Sequence, residues 1–132
     1  MSELQVLQMF KSNLISFFDD LISQYPMEGD LLYMRIFIKD QIPIQDVMKI
    51  FIERLFKDEQ KIRKMAVTHN DKFFLEHNIF EELSHGKAQH FKRLWVSETI
   101  TEEDKDAIWS WVDRFILIAD KYIKIRPDLI KV

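Results

Sequence analysis

The sequence predicts an all-α fold: a single-domain bundle of five to seven helices arranged around a central helix near the C-terminus. Three observations carry that expectation. The chain has 132 residues, the usual size of one domain and enough to bury about two thirds of its unfolded surface. Hydrophobic residues make up 47% and charged residues 31%, values of a globular chain and not of a disordered one. Only two glycines and three prolines are present, too little punctuation for the turns that many short strands require.

Each element follows from the pattern of apolar residues and breakers. Leu4, Leu7, Phe10, Leu14, Phe17, Phe18, Leu21 and Ile22 recur at three- and four-residue steps before Tyr25-Pro26. That is one amphipathic helix, stopped where the residue before proline is pushed out of the α region. Asp30 is a candidate cap for a short second helix to about Gln41. Its interior, Leu31 to Ile38, is apolar on all sides except Arg35, which fits a buried helix or a buried strand; periodicity does not separate the two. Helix is preferred, because a lone strand among helices would have no partner. Pro43 suits the first turn of a third helix, whose stripe is Ile44, Val47, Met48, Phe51, Ile52, Leu55 and Phe56. That helix is expected to continue through KDEQKIRKM to about Met65. THND (68–71) reads as a turn, with Asn70 or Asp71 capping the next element. Two shorter helices, separated near Gly86, are expected between Lys72 and Val96.

The last helix is the best marked. Thr101 is its N-cap, and Glu102, Glu103 and Asp104 load the first turn with the charge that the helix dipole favours. Asp104 takes the place of the usual Glu in a capping box, and the end falls near Arg126-Pro127. At about 100° per residue, Ile108, Val112, Phe115, Ala119 and Tyr122 form the middle of one face. Trp109, Ile116 and Ile123 flank it on one side, and Trp111, Ile118 and Ile125 on the other. The apolar arc is therefore roughly 200° wide, about twice that of an ordinary surface helix, so neighbours must cover both flanks. Trp109 and Trp111 mark its two shoulders. At least one of them belongs in the core; the other is a candidate anchor for a protein partner. Leu117 stands apart on the polar strip among Ser110, Asp113, Arg114, Asp120, Lys121 and Lys124. Trp109, Trp111 and Leu117 are thus the candidate partner-binding residues.

Signals of chemistry are sparse. The absence of cysteine removes disulfides and thiolate chemistry together and fits a reducing compartment. Glu82 and His85 have the spacing of half a di-iron site, but no second Glu-x-x-His occurs and Gly86 puts His85 at a helix end. His85 and His90 lie on different faces if both are helical, and Ser84 beside His85 diverges from it. Asp19 and Asp20 sit on the polar side of the first helix. No catalytic residue, cofactor or metal site is expected. The expectation is a non-enzyme.

The net charge of −3 disfavours general nucleic-acid binding. One stripe offers an exception: Arg54, Lys57, Lys61 and Lys64 align if the third helix is continuous. Glu53, Asp58 and Glu59 interleave with them, which fits a solvated face with pairs along the helix. The N-terminal MSELQVLQMFKSN lacks a basic region before an apolar run. The densest apolar run, LLYMRIFI, is interrupted by Arg35 and falls short of the roughly 18 residues of a membrane span. A cytoplasmic protein without a membrane anchor is expected.

Three stretches carry a resemblance: FFDDLISQYP (17–26), MRIFIKDQIPI (34–44) and HFKRLWVSETITEEDKDAIWSWVDRFILIADKY (90–122), a little under half the chain. They resemble small helical proteins encoded by nucleocytoplasmic large DNA viruses, the mimivirus-like giants. The resemblance implies an infected-cell cytoplasm or a virion, and a role in virion structure, replication or host interference. It implies no catalytic residues. Viral death inhibitors of the Bcl-2 type fit less well, since their Asn-Trp-Gly-Arg motif is missing and no Gly follows either tryptophan. The expected function is a non-catalytic protein-interaction or structural component, such as a virion component or host-factor binder. A homodimer is one simple way to cover so wide a surface. The alternative is a nucleic-acid-associated factor using the basic stripe, and an unrecognised enzyme comes third.

Overall fold

A computed structural model describes residues 2–75 and 95–130 of the chain. Ser2 opens the first helix, α1 (Glu3–Gln24). Its hydroxyl accepts the Gln5 amide at 3.2 Å while the Gln5 side chain accepts the Ser2 amide at 2.9 Å. This reciprocal cap satisfies two donors that a helix start otherwise orphans. α1 stops before Pro26 and buries Val6, Leu7, Phe10, Leu14, Phe17, Phe18 and Leu21. Leu4, expected on the same stripe, is left at the surface.

The apolar stretch after Gly29 is helical. α2 (Gly29–Ile36) runs into one π turn (Phe37–Gln41), closed by the Ile42 amide donating to the Phe37 carbonyl at 3.1 Å. Two expectations are corrected here. Glu28, not Asp30, occupies the N-cap and makes no side-chain cap; Asp30 lies in the first turn, where its charge complements the dipole. Nor is α2 buried all round. Leu31, Met34 and Ile38 are inside, whereas Leu32, Tyr33 and Ile36 face solvent. Among the described residues α2 packs chiefly on α1 and the π turn.

α3 (Ile44–Val67) follows Pro43 but is not continuous. Lys57 is extended, and Asp58, Glu59 and Gln60 have φ of 51°, 57° and 65°. Left-handed backbone costs a non-glycine residue about 1–2 kcal/mol. Beyond the break the helix resumes, burying Ile62 and Ala66 and aiming Arg63 at Asp120 in two bonds of 2.7 Å. A straight helix would carry those groups elsewhere. Glycine normally weakens a helix interior by about 0.5–1 kcal/mol, so Glu59→Gly is a test of sign. Here it should leave the urea midpoint unchanged or raise it, because Gly relieves the positive φ.

His69 ends α3 in the left-handed conformation, with φ 50°. The Asn70 amide donates to Met65 O at 2.8 Å and the His69 amide to Ala66 O at 3.0 Å, the paired bonds of a Schellman stop. Asn70 then accepts the Lys72 amide through its side chain at 3.0 Å, starting the single turn α4 (Lys72–Leu75). The expected turn and cap are both in place.

α5 (Glu102–Ile125) has the expected capping box, Asp104 N–H to Thr101 Oγ1 at 3.1 Å and Thr101 N–H to Asp104 Oδ2 at 3.0 Å. It ends at Arg126, before a 3-10 turn at Pro127–Ile130. It packs against α1, α3 and that turn and buries Ile108, Trp109, Val112, Phe115, Ile116, Ile118, Ala119 and Tyr122. The all-α class holds among the described residues, but α1, which packs on α2, the π turn, α3 and α5, is the element most of them share, and α5 meets only α1, α3 and the C-terminal turn to that extent. The five to seven helices expected exceed what those residues form: four of eight residues or more, and the turn at α4. The two short helices expected between Lys72 and Val96 lie outside the described residues, except for that turn and Trp95–Val96.

α1 and α5 run antiparallel, joined at both ends by a phenol on a carboxylate. Tyr25 donates to Asp104 Oδ2 at 2.8 Å, and Tyr122 donates to Glu3 Oε1 at 2.6 Å. Burial, then the bonded carboxylate, pushes the Tyr122 phenol up to about 12 and moves Tyr25 further still in the same direction. Bonds from the Thr101 backbone amide and then the Tyr25 phenol hold the Asp104 carboxyl below its usual value. A phenol whose folded pKa is raised contributes stability that is complete below its unfolded value near 10 and is lost as pH rises through the folded value. Wild type should therefore lose stability steeply from pH 10 upward. In Tyr25→Phe/Tyr122→Phe that slope should flatten, with about 1 kcal/mol lost per bond at pH 8. Urea titrations at a series of alkaline pH values check both.

Candidate interaction surfaces

The two tryptophans have different fates. Trp109 is 3% exposed. The His69 ring lies flat on it, with centroids 4.8 Å apart and planes at 6°, while Phe73 packs at 5.6 Å and Trp95 meets it edge-on at 5.9 Å. Trp109 is core, so its candidacy as a partner contact is corrected: rings from α3, α4 and residue 95 have already covered that shoulder. Trp111 is half-buried on Phe17 and Phe115, at 5.8 and 6.1 Å. The guanidinium of Arg114 sits 4.7 Å from its ring centroid, a cation–π lid, and donates to Asn13 Oδ1 at 3.3 Å. Leu117 is 63% exposed. Of the three candidates only Leu117 presents a large apolar side chain to solvent.

Sequence reasoning does not single out His69. Its ring nitrogen lies 3.0 Å from Asp113 Oδ2 while the ring stacks on Trp109. Among the described residues the ring bonds Asp113 alone. With no hydroxyl or thiol bonded to it, the pair orients the imidazole and ties the end of α3 to α5. The THND turn is legible in the sequence, but its partner 44 positions away is not.

The basic stripe is not assembled as expected. Arg54 precedes the left-handed break, Lys57 lies in it, and Lys61 and Lys64 follow it on a redirected segment. The four no longer share one helical face. Lys61 and Lys64 line a shallow depression together with Asp58 and Glu59, so carboxylates accompany the cations in space as they do in sequence. Arg63, which falls off the stripe, holds Asp120 and lies over Phe56 at 5.4 Å.

Two surfaces among the described residues present apolar groups on helices. On α2, Leu32 and Ile36 stand one turn apart with Tyr33 beside them, 51%, 39% and 65% exposed; the sequence hides this stripe by being apolar on every side. The other is the seam between the start of α1 and the end of α5. There a groove of about 310 Å³ is lined by Val6, Ile125, Lys121 and Lys124, a turn from Leu117.

Among the described residues no group of three or more His, Asp or Glu could hold a metal ion. Glu82, Ser84, His85 and His90 lie outside those residues. No described helix is long and apolar enough to cross a membrane. The chain matches no family model, no curated protein and no solved structure.

Proposed function

We propose that the protein is a non-catalytic interaction or structural component that engages a protein partner through apolar side chains held outside its core. The observation that carries this reading is their placement on well-formed helices: Leu32, Tyr33 and Ile36 on α2, and Leu117 on α5. Helix-borne apolar groups keep a fixed geometry and lose little freedom on docking, which favours affinity. Lone exposed apolar residues are ordinary; three on one short helix are a patch. The resemblance to giant-virus proteins proposes where to look, in infected-cell cytoplasm or the virion.

The test is affinity purification from such cells, with and without nuclease, using wild type, Leu117→Asp and Tyr33→Asp. A protein recovered at near-equal stoichiometry, resistant to nuclease and lost in one variant, is the expected result. A second copy of the chain is one such partner, and light scattering identifies it. Recovery that collapses with nuclease, or a partner indifferent to both variants, overturns the reading.

A further inference from the structure

The strip of α5 that faces away from the core has its charges sorted by its neighbours. Asp120 is held by Arg63 at 2.7 Å and Asp113 by His69 at 3.0 Å, both on the α3 side of the helix. Arg114, Lys121, Leu117 and Lys124 fall within an adjoining arc of about 80° that leads from the aspartates round to the α1 flank. Among the described residues none of the three cations is paired with a carboxylate; Arg114 is bonded to Asn13. Glu3, at the end of the seam, is engaged by Tyr122 and Arg126. A chain with net charge −3 thus carries a strip of unneutralised positive charge, with an exposed leucine in its middle and an apolar groove beside it, floored by Val6 and Ile125.

We propose that this α1–α5 seam binds an acidic amphipathic helix of a partner protein, which rests on the interaction reading above and gives it a chemistry. Apolar side chains of that helix seat on Leu117 and in the groove, in the manner of a helix laid into a cleft. Its flanking Asp or Glu residues meet Lys121, Lys124 and Arg114. The groove is at the lower limit of small-ligand sites, which span about 300–1,000 Å³, and it is open along the seam, as side chains presented by a helix require. Opposed charge fixes orientation and speeds encounter. Phosphate polymers are a poorer fit: the strip is short, has no exposed aromatic for base stacking, and belongs to a chain whose net charge repels them. A membrane surface would need a broad convex apolar face, and here the apolar part is a concavity.

The experiment is selection of displayed helical peptides that carry fixed leucines on one face and Glu, Lys, Gln or Ser at random on its flanks. Enrichment of Glu is expected, with binding that weakens as salt rises. The selected peptide should lose at least tenfold in affinity against Lys121→Glu/Lys124→Glu and bind Leu117→Asp no better. These side chains are exposed, so thermal unfolding of the variants should match wild type. Phosphatidylserine vesicles and duplex DNA serve as competing probes. Selection of neutral or basic helices, unchanged affinity in the lysine variant, or preferential capture of vesicles or DNA overturns the proposal. A partner from cells that tolerates the seam variants but is lost with Tyr33→Asp would sink the seam and leave the interaction reading standing; loss of neither sinks both.

Discussion

Phe115→Ala should lower the free energy of unfolding by about 3–5 kcal/mol, the cost of deleting a buried phenyl group and leaving its space partly empty. The ring is 2% exposed and meets Phe17 at 5.5 Å, Phe10 at 6.1 Å and Trp111 at 6.1 Å. Phe10 in turn reaches Phe51 at 5.8 Å, so one side chain on α5 joins the aromatic layers of α1 and α3. Domains of this kind are stable by only about 5–15 kcal/mol, so the change removes a large share. It should appear as a fall in urea midpoint at unchanged slope. Leu117→Ala, two residues along the same helix, should change stability by no more than about 0.5 kcal/mol. If the two variants lose similar stability, α5 does not present these faces to core and solvent.

Trp109→Ala is the second large effect, again about 3–5 kcal/mol. Its indole is the surface on which His69, Phe73 and Trp95 meet, and removing it also unseats the imidazole that reaches Asp113. The loss should exceed that of Trp111→Ala, whose ring is half-buried and forfeits less area on truncation. Near-ultraviolet circular dichroism should change more for Trp109→Ala, because three packed rings lose their common neighbour. Equal losses from the two tryptophans would contradict their separate environments.

Much of this architecture is legible in the sequence because local chemistry and global packing agree. The Tyr25-Pro26 and Arg126-Pro127 pairs end helices where backbone sterics require it, and Thr101 with Asp104 caps α5 through bonds that span three residues. The wide apolar arc of Ile108–Ile125 predicts a helix covered on both flanks, and α5 packs against both α1 and α3. The start of α1 is equally local, since Ser2 and Gln5 have capping-box spacing. The break in α3 is not legible. Lys57–Gln60 contains no glycine or proline, and its left-handed turn reflects the packing beyond it, the burial of Ile62 and Ala66 and the reach of Arg63 to Asp120.

The candidate surfaces divide in the same way. Leu117 stands out on the helical wheel because a lone leucine among charges breaks a local pattern. Trp109 and Trp111 cannot be ranked there, since the wheel assigns each an equivalent shoulder. By itself, then, the sequence determined the helical class, the capping box of α5 and the stops before Pro26 and Pro127, all from interactions within a few residues or from periodicity. The tertiary structure alone decided which shoulder is covered, that α2 keeps Leu32, Tyr33 and Ile36 at the surface, and that Asp113 and Asp120 are drawn to the α3 side. The last of these depends on partners 44 and 57 positions distant, and only the folded chain brings such partners together.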